Sequence, residues 1–265
     1  VRRFDADYLE RTREGMWDDS RDALADLELD AAERVLDVGC GSGELTRVLR
    51  EESAGEVIGV DADGALLSNV PRPTVLGDAT RLPFADDAVD LVVCQALLIN
   101  LPDPAAALAE FARIAGDRVA VIEPDNGAVT VESTVDDEPA LARRARDLYL
   151  DGVDTDVELG ASAADLFSEV GLDVVSTRQY DQRLSVAPPY SEAALTAAQR
   201  KATGAGLLDR ADVLGGAVSD EAFDRLREEW RAMGRDVIEQ MREETYERTE
   251  TVPFFVTVGE VTDRD

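Results

Sequence analysis

Val35-Leu36-Asp37-Val38-Gly39-Cys40-Gly41-Ser42-Gly43 is the stretch from which the rest of the chain is read. Its first four residues suit a short buried strand. Glycine then recurs at every second position, and Glu44-Leu45-Thr46-Arg47-Val48-Leu49 opens a helix. Alternate glycines let a backbone turn sharply and let a ligand come close to it. The helix start offers N–H groups that have no partner within the helix. Strand, glycine turn and helix together make a cofactor seat.

The spacing narrows the choice of cofactor. A dinucleotide site needs G-x-G-x-x-G, but the third glycine would fall on Glu44 from Gly39 and on Thr46 from Gly41. A phosphate loop needs a lysine after its last glycine, and Lys201 is the only lysine in the chain. What stands is D-x-G-x-G-x-G, with Asp37 at the strand end. A carboxylate there suits a cationic or donor-rich ligand and repels a pyrophosphate.

With these residues the chain resembles the class I S-adenosylmethionine-dependent methyltransferases. VLDVGCGSGELT matches their first motif, and three more segments follow in order. Val57-Ile58-Gly59-Val60-Asp61 looks like the second strand with its terminal acid. Gly77-Asp78-Ala79-Thr80-Arg81-Leu82-Pro83-Phe84 looks like the loop after the third strand. Ala88–Cys94 and Gln95–Pro104 look like the fourth strand and its loop. The resemblance covers residues 30–125 well and the rest loosely, and leans toward the small-molecule branch related to quinone-biosynthesis methyltransferases.

The resemblance implies a fold and a set of site residues. The fold is α/β: a Rossmann-like, doubly wound sheet of seven strands, the last inserted antiparallel beside strand 172–180, with a helical insertion. Residues 1–30 are expected to lie over the cofactor mouth, 31–190 and 251–265 to form the cofactor-binding domain, and 191–250 to be the insertion, either a lid or an oligomer interface. S-adenosylmethionine would be bound, and S-adenosylhomocysteine released. Asp37 would act through the amino group of the cofactor's methionine part, directly or through water, or brace the N–H groups of its own loop. Gly39, Cys40, Gly41 and Gly43 would border the ligand. Asp61, with Ala62, would take the ribose hydroxyls. Asp78 and Ala79 would meet the adenine, unless Asp78 only makes an Asx turn. Gln95, Arg13 and Trp17 would lie around the methionine part.

Substrate-side residues are read from the strand ends, which face the crevice in open α/β sheets. Asn100, Asp125 and Asn126 are pocket candidates. Glu123 is a weak candidate for a general base, set against a loop-bracing role. With no histidine in the chain, histidine general-base catalysis and histidine-ligated metals are excluded, and no metal site is expected. Ala187-Pro188-Pro189-Tyr190 is read as a turn: it stands after the sixth strand and starts with alanine, unlike the [DN]-P-P-[YFW] motif of amino methyltransferases.

The 265 residues carry 57 acids against 27 lysines and arginines, a formal net charge of −30. Acids lie in every segment, and aspartate outnumbers glutamate. We read this as the adaptation of a halophile's cytoplasmic protein to high salt; the alternative is a functional acidic surface that repels nucleic acids and anionic membranes. Cys40 and Cys94 are read as small buried thiols, without zinc spacing. No signal peptide or membrane-length apolar run stands out. A small-molecule methyl acceptor is therefore expected, with no nucleic acid, no membrane span, and a homodimer left open. An RNA or protein methyltransferase, an aminopropyl-transferring relative, and a non-catalytic cofactor-binding relative are the alternatives.

Overall fold

The computed structural model describes residues 16–262, apart from 19, 212 and 215–217. The chain divides into two compact units. Of the described residues, the first takes those up to Asp125, with Glu158–Tyr180 and those from Pro253 onward; the second takes Asn126–Val157 and Asp181–Val252.

The first unit alternates strands and helices. After a 3-10 segment (Arg21–Leu27) come β1 (Arg34–Val38), α1 (Glu44–Glu52), β2 (Glu56–Asp61), α2 (Gly64–Leu67), β3 (Thr74–Leu76), β4 (Val89–Gln95), α3 (Pro104–Ile114) and β5 (Ala115–Pro124). Apolar β-branched runs such as Val89–Gln95, buried at all but Asp90, suit strands covered on both faces. α3 starts where Asp103 accepts from the Ala106 N–H and Pro104 fills the first turn. α5 (Ala163–Glu169) and β7 (Leu172–Val186) follow the excursion into the second unit, and β8 (Arg248–Val261) returns to complete the sheet.

The strand order is β3-β2-β1-β4-β5-β8, with β7 on the far side of β8. β1 to β5 pair in parallel. β8 runs antiparallel to β5, from Arg118↔Glu260 to Pro124↔Phe254. It also runs antiparallel to β7, since Gly259 lies against Asp173 while Thr177 bonds to Thr257. This is a Rossmann-like, doubly wound α/β sheet with an antiparallel strand beside β5. Its core joins Leu36, Val38, Val92, Phe111, Val121 and Phe167. Burying such side chains contributes about 1.5–3 kcal/mol each.

The second unit is mainly helical. It holds β6 (Thr130–Ser133), α4 (Glu138–Gly152), α6 (Glu192–Thr203), α7 (Ala205–Leu208) and α8 (Asp220–Arg242). β6 pairs antiparallel with the polar start of β8, Thr130↔Thr251 to Ser133↔Arg248. This strand is an addition to the seven expected. Exposed and half-buried positions alternate along it, so no run of apolar residues marked it. Ser191 and Ser219 cap α6 and α8 by accepting from Ala194 and Ala222. α6 and α8 approach closely at Gly234, where a Cβ would lie 2.3 Å from the Ala202 nitrogen. Leu226, Met233, Val237 and Met241 form the buried stripe of α8.

Pro188–Pro189 lies in a bend between β7 and α6, as the turn reading expected. Tyr190 beyond it exchanges hydrogen bonds with the Tyr246 backbone, donating to its carbonyl and accepting from its N–H, both at 3.0 Å.

Candidate active site

The site lies at the carboxyl ends of β1, β2 and β4. Gly39 turns the chain out of β1 with φ 72°, a conformation costly for other residues. A Cβ there would come 2.8 Å from the Leu97 side chain. The Gly39 and Cys40 N–H groups donate to the Val60 carbonyl at 2.7 and 2.9 Å, tying the loop to β2. Gly43, with φ 89°, precedes the first residue of α1.

Asp61 ends β2 and joins two loops. Oδ2 accepts from the Gly41 N–H and Oδ1 from the Asp63 N–H, both at 2.8 Å. A carboxylate offers about four lone-pair sites, so this work leaves it able to accept from hydroxyls. Ala62 beside it is exposed. Asp37 is almost wholly buried, and the Thr46 hydroxyl donates to its Oδ2 at 2.5 Å. Sequence reasoning did not single out Thr46. It sits on the inward face of α1, nine residues after the aspartate, and only the packing of α1 on β1 brings the two together.

Asp78 closes its own loop: Oδ1 accepts from the Thr80 N–H and hydroxyl at 2.8 and 2.7 Å. These bonds hold its carboxyl below the usual range. It therefore makes the Asx-type turn that the sequence left open as its other role, with Ala79 buried beside it.

At the end of β4, Gln95 is buried and links to the N-terminal segment. Trp17 Nε1 donates to Gln95 Oε1 at 3.3 Å, and Gln95 Nε2 donates to Met16 Sδ at 2.8 Å. Trp17 is fully buried and packs on Tyr180, ring centroids 5.0 Å apart. Arg13 lies outside the described residues.

Glu123 is completely buried on β5. Its Oε1 accepts from the Leu97 and Leu98 N–H groups at 3.1 and 2.8 Å. That geometry favours the loop-bracing alternative over a base, since it ties the loop after β4 to β5. Asn100, in the 3-10 turn Leu98–Asn100, donates from Nδ2 to the Ala96 carbonyl at 2.8 Å. Its Oδ1 is buried without a hydrogen-bond partner among the described residues. Asp125 donates its N–H to the Pro253 carbonyl at 2.9 Å. Asn126 commits its side-chain amide to the Val157 carbonyl at 2.6 Å.

Cys40 and Cys94 are both free thiols, and β1 and β4 pair Val38 with Cys94. Burial, with carboxylates nearby, pushes both thiols up. They are neutral at physiological pH and poor nucleophiles.

The donor set thus combines two aspartates at adjacent strand ends with a glycine loop that carries no basic side chain. It fits a ligand with a cationic end and vicinal hydroxyls, and does not fit a phosphate.

Known proteins resemble this chain in sequence and in fold. Residues 36–118 match the family model described as a methyltransferase domain. A demethylmenaquinone methyltransferase of Lactiplantibacillus plantarum is 34% identical over 134 residues, 46% of this chain and 54% of that protein. The demethylmenaquinone methyltransferase of Mycolicibacterium paratuberculosis is 40% identical over 101 residues, 37% of this chain and 44% of that protein. The chain thus spans about half the length of these curated relatives. A solved Bacillus halodurans protein assigned to the methyltransferases covers 93% of this chain and 100% of its own, with TM-score 0.55 and 13% identity. At that identity the likeness is one of fold.

Proposed function

We propose that this chain, which carries a methyltransferase domain over residues 36–118, binds S-adenosylmethionine and moves its methyl group to a small-molecule acceptor. The observation that carries the reading is the pair Asp37 and Asp61 at neighbouring strand ends around a glycine loop without a cation. S-adenosylmethionine supplies an electrophilic methyl carbon on a sulfonium, already a good leaving group. The residues then have to bind, align and keep water out.

Asp37 takes the ammonium of the cofactor's amino-acid end. Asp61 accepts from both ribose hydroxyls. Asp78, through its turn, sets the Ala79 backbone beside the adenine. Gln95 and Trp17 close the methionine side, where a fully buried indole excludes water. Glu123 fixes the loop that carries Asn100. The Asn100 Oδ1 is the acceptor best suited to a hydroxyl or amine of the methyl acceptor. In-line displacement by a nucleophile that is already deprotonated needs no base, and we assign none.

The small-molecule class is supported by the demethylmenaquinone methyltransferases among the relatives, so demethylmenaquinones head the acceptor screen. The test of the cofactor is calorimetric titration of S-adenosylmethionine and, separately, of NAD in about molar KCl. Binding of the first without the second is expected. A folded protein that binds NAD, or binds neither, overturns the reading.

The net charge of −30 supports adaptation to high salt. Repulsion among so many acids weakens as the screening length falls from about 10 Å at 0.1 M to about 3 Å at 1 M. The thermal midpoint is therefore expected to rise from low to molar KCl. A flat or falling curve, read by circular dichroism, would assign the acids to a functional surface instead.

A further inference from the structure

The geometry points to Thr46 as the positioning residue of the cofactor site: its hydroxyl fixes the Asp37 carboxylate that grips the ligand's amino-acid end. This rests on the proposed S-adenosylmethionine site and adds a residue to it.

Asp37 is 1% exposed and Thr46 is 0% exposed. A carboxylate so buried is tolerated only where donors replace water. The Thr46 hydroxyl is such a donor, at 2.5 Å. It comes from the first turn of α1, so the orientation of Asp37 is tied to the same helix whose start borders the glycine loop. Cys40 lies beside this pair, its Sγ and Thr46 Oγ1 both within 4 Å of where a Cβ on Gly59 would stand. A threonine hydroxyl has one proton. That proton goes to Asp37.

The register of β1 and β2 makes the space for this group. Gly59 pairs with Asp37 across the two strands. A Cβ on Gly59 would come 3.1 Å from Cys40 Sγ and 3.6 Å from Thr46 Oγ1. Glycine at that position leaves the thiol, the hydroxyl and the carboxylate room to line up. The thiol stays protonated under the burial and the nearby Asp37 and Asp61 charges. In this trio only Asp37 is charged, and its charge is held in one orientation for a cationic ligand end.

Two ligands separate this role from a general structural one. S-adenosylhomocysteine carries the amino-acid end, and 5′-methylthioadenosine shares its adenosine and sulfur but lacks that end. Thr46→Val is expected to weaken S-adenosylhomocysteine by about tenfold or more, the change that loss of a hydrogen bond to a charged group brings. Its affinity for methylthioadenosine should stay within about twofold. Thr46→Ser, which keeps the hydroxyl, should restore the wild-type ratio of the two affinities. If valine prevents folding, Thr46→Ala makes the same comparison without the second methyl group. Equal loss for both ligands, or no loss for either, overturns the assignment. A wild-type protein that binds methylthioadenosine as tightly as S-adenosylhomocysteine overturns the Asp37 contact and Thr46 with it. Failure of the wild type to bind either ligand sinks the proposed cofactor itself.

Discussion

Replacing Lys201 with methionine should lower the free energy of unfolding by about 3–5 kcal/mol, the range for breaking a buried ion pair from one side. Lys201 is the only lysine in the chain, and it is half-buried in the second unit, paired with a carboxylate that is almost fully buried. Its ammonium donates to Glu138 and, at 3.2 Å, to the Tyr246 hydroxyl. Glu138 is 1% exposed and accepts further from Ser133 at 2.7 Å and from the Tyr246 hydroxyl at 2.9 Å. Arg248 lies 3.2 Å from the same carboxylate. This cluster joins β6, the start of α4, α6 and the start of β8. Methionine fills much of the volume but leaves the carboxylate short of a charge and a donor. Removing Glu138 as well, as Lys201→Met with Glu138→Leu, should recover part of the loss, because no uncompensated carboxylate is then buried.

The pH dependence has a definite sign. Burial works against the charge of Glu138, yet Lys201, Ser133 and Arg248 together hold its carboxyl below the usual carboxylate range. Its stabilising contribution is therefore present above its ordinary value of 4.5 and is lost as pH falls through the lower folded-state value. The difference between wild type and Lys201→Met should be full at neutral pH and shrink in acid. It should also persist in molar KCl, since salt screens buried pairs far less than exposed ones. Urea unfolding at several pH values and salt levels measures all three. A loss below about 1 kcal/mol at neutral pH would make the pair equivalent to an exposed one.

Asp61→Ala should weaken S-adenosylmethionine binding about a hundredfold or more while the protein stays folded. Two hydroxyls bonded to one carboxylate contribute roughly 1.5–3 kcal/mol each, and tenfold in affinity is about 1.4 kcal/mol. The same substitution frees the Gly41 and Asp63 N–H groups, which Asp61 now holds, so the loop loses its tie as the ligand loses its acceptors. Asp61→Asn keeps one acceptor oxygen and should fall between the two. Calorimetry on all three proteins reads the series, and unchanged affinity in Asp61→Ala would sink the assignment of Asp61.

The alternating strands and helices between residues 34 and 124 could be read from the sequence because each strand there is an apolar run and each turn carries glycine, proline or aspartate. The later strands were only partly legible. β7 continues to Val186 and β8 begins at Arg248, and the added lengths are rich in charged residues, threonine and serine. β6 was not read at all, since three of its four residues are polar and none is fully buried. In the site, the glycine loop and Asp61 stood out by spacing. Thr46 and Gly59 lie within the matched segments, but nothing in their spacing pointed to a role there; Lys201, in the second unit, is a lone lysine outside any motif.

The sequence by itself determined the doubly wound sheet and the glycine-loop seat at its strand ends. Both rest on local patterns: the alternation of apolar strand runs with helical periods, and a motif held within nine residues. The tertiary structure alone decided how the charges are used. Glu138 and Lys201 are 63 residues apart, and their meeting depends on how α4 and α6 fold into one unit. Glu123 holds a loop 25 and 26 residues earlier in the chain because β5 lies beside β4. A carboxylate's role depends on which donors replace its water, and those donors come from distant segments that only packing brings near.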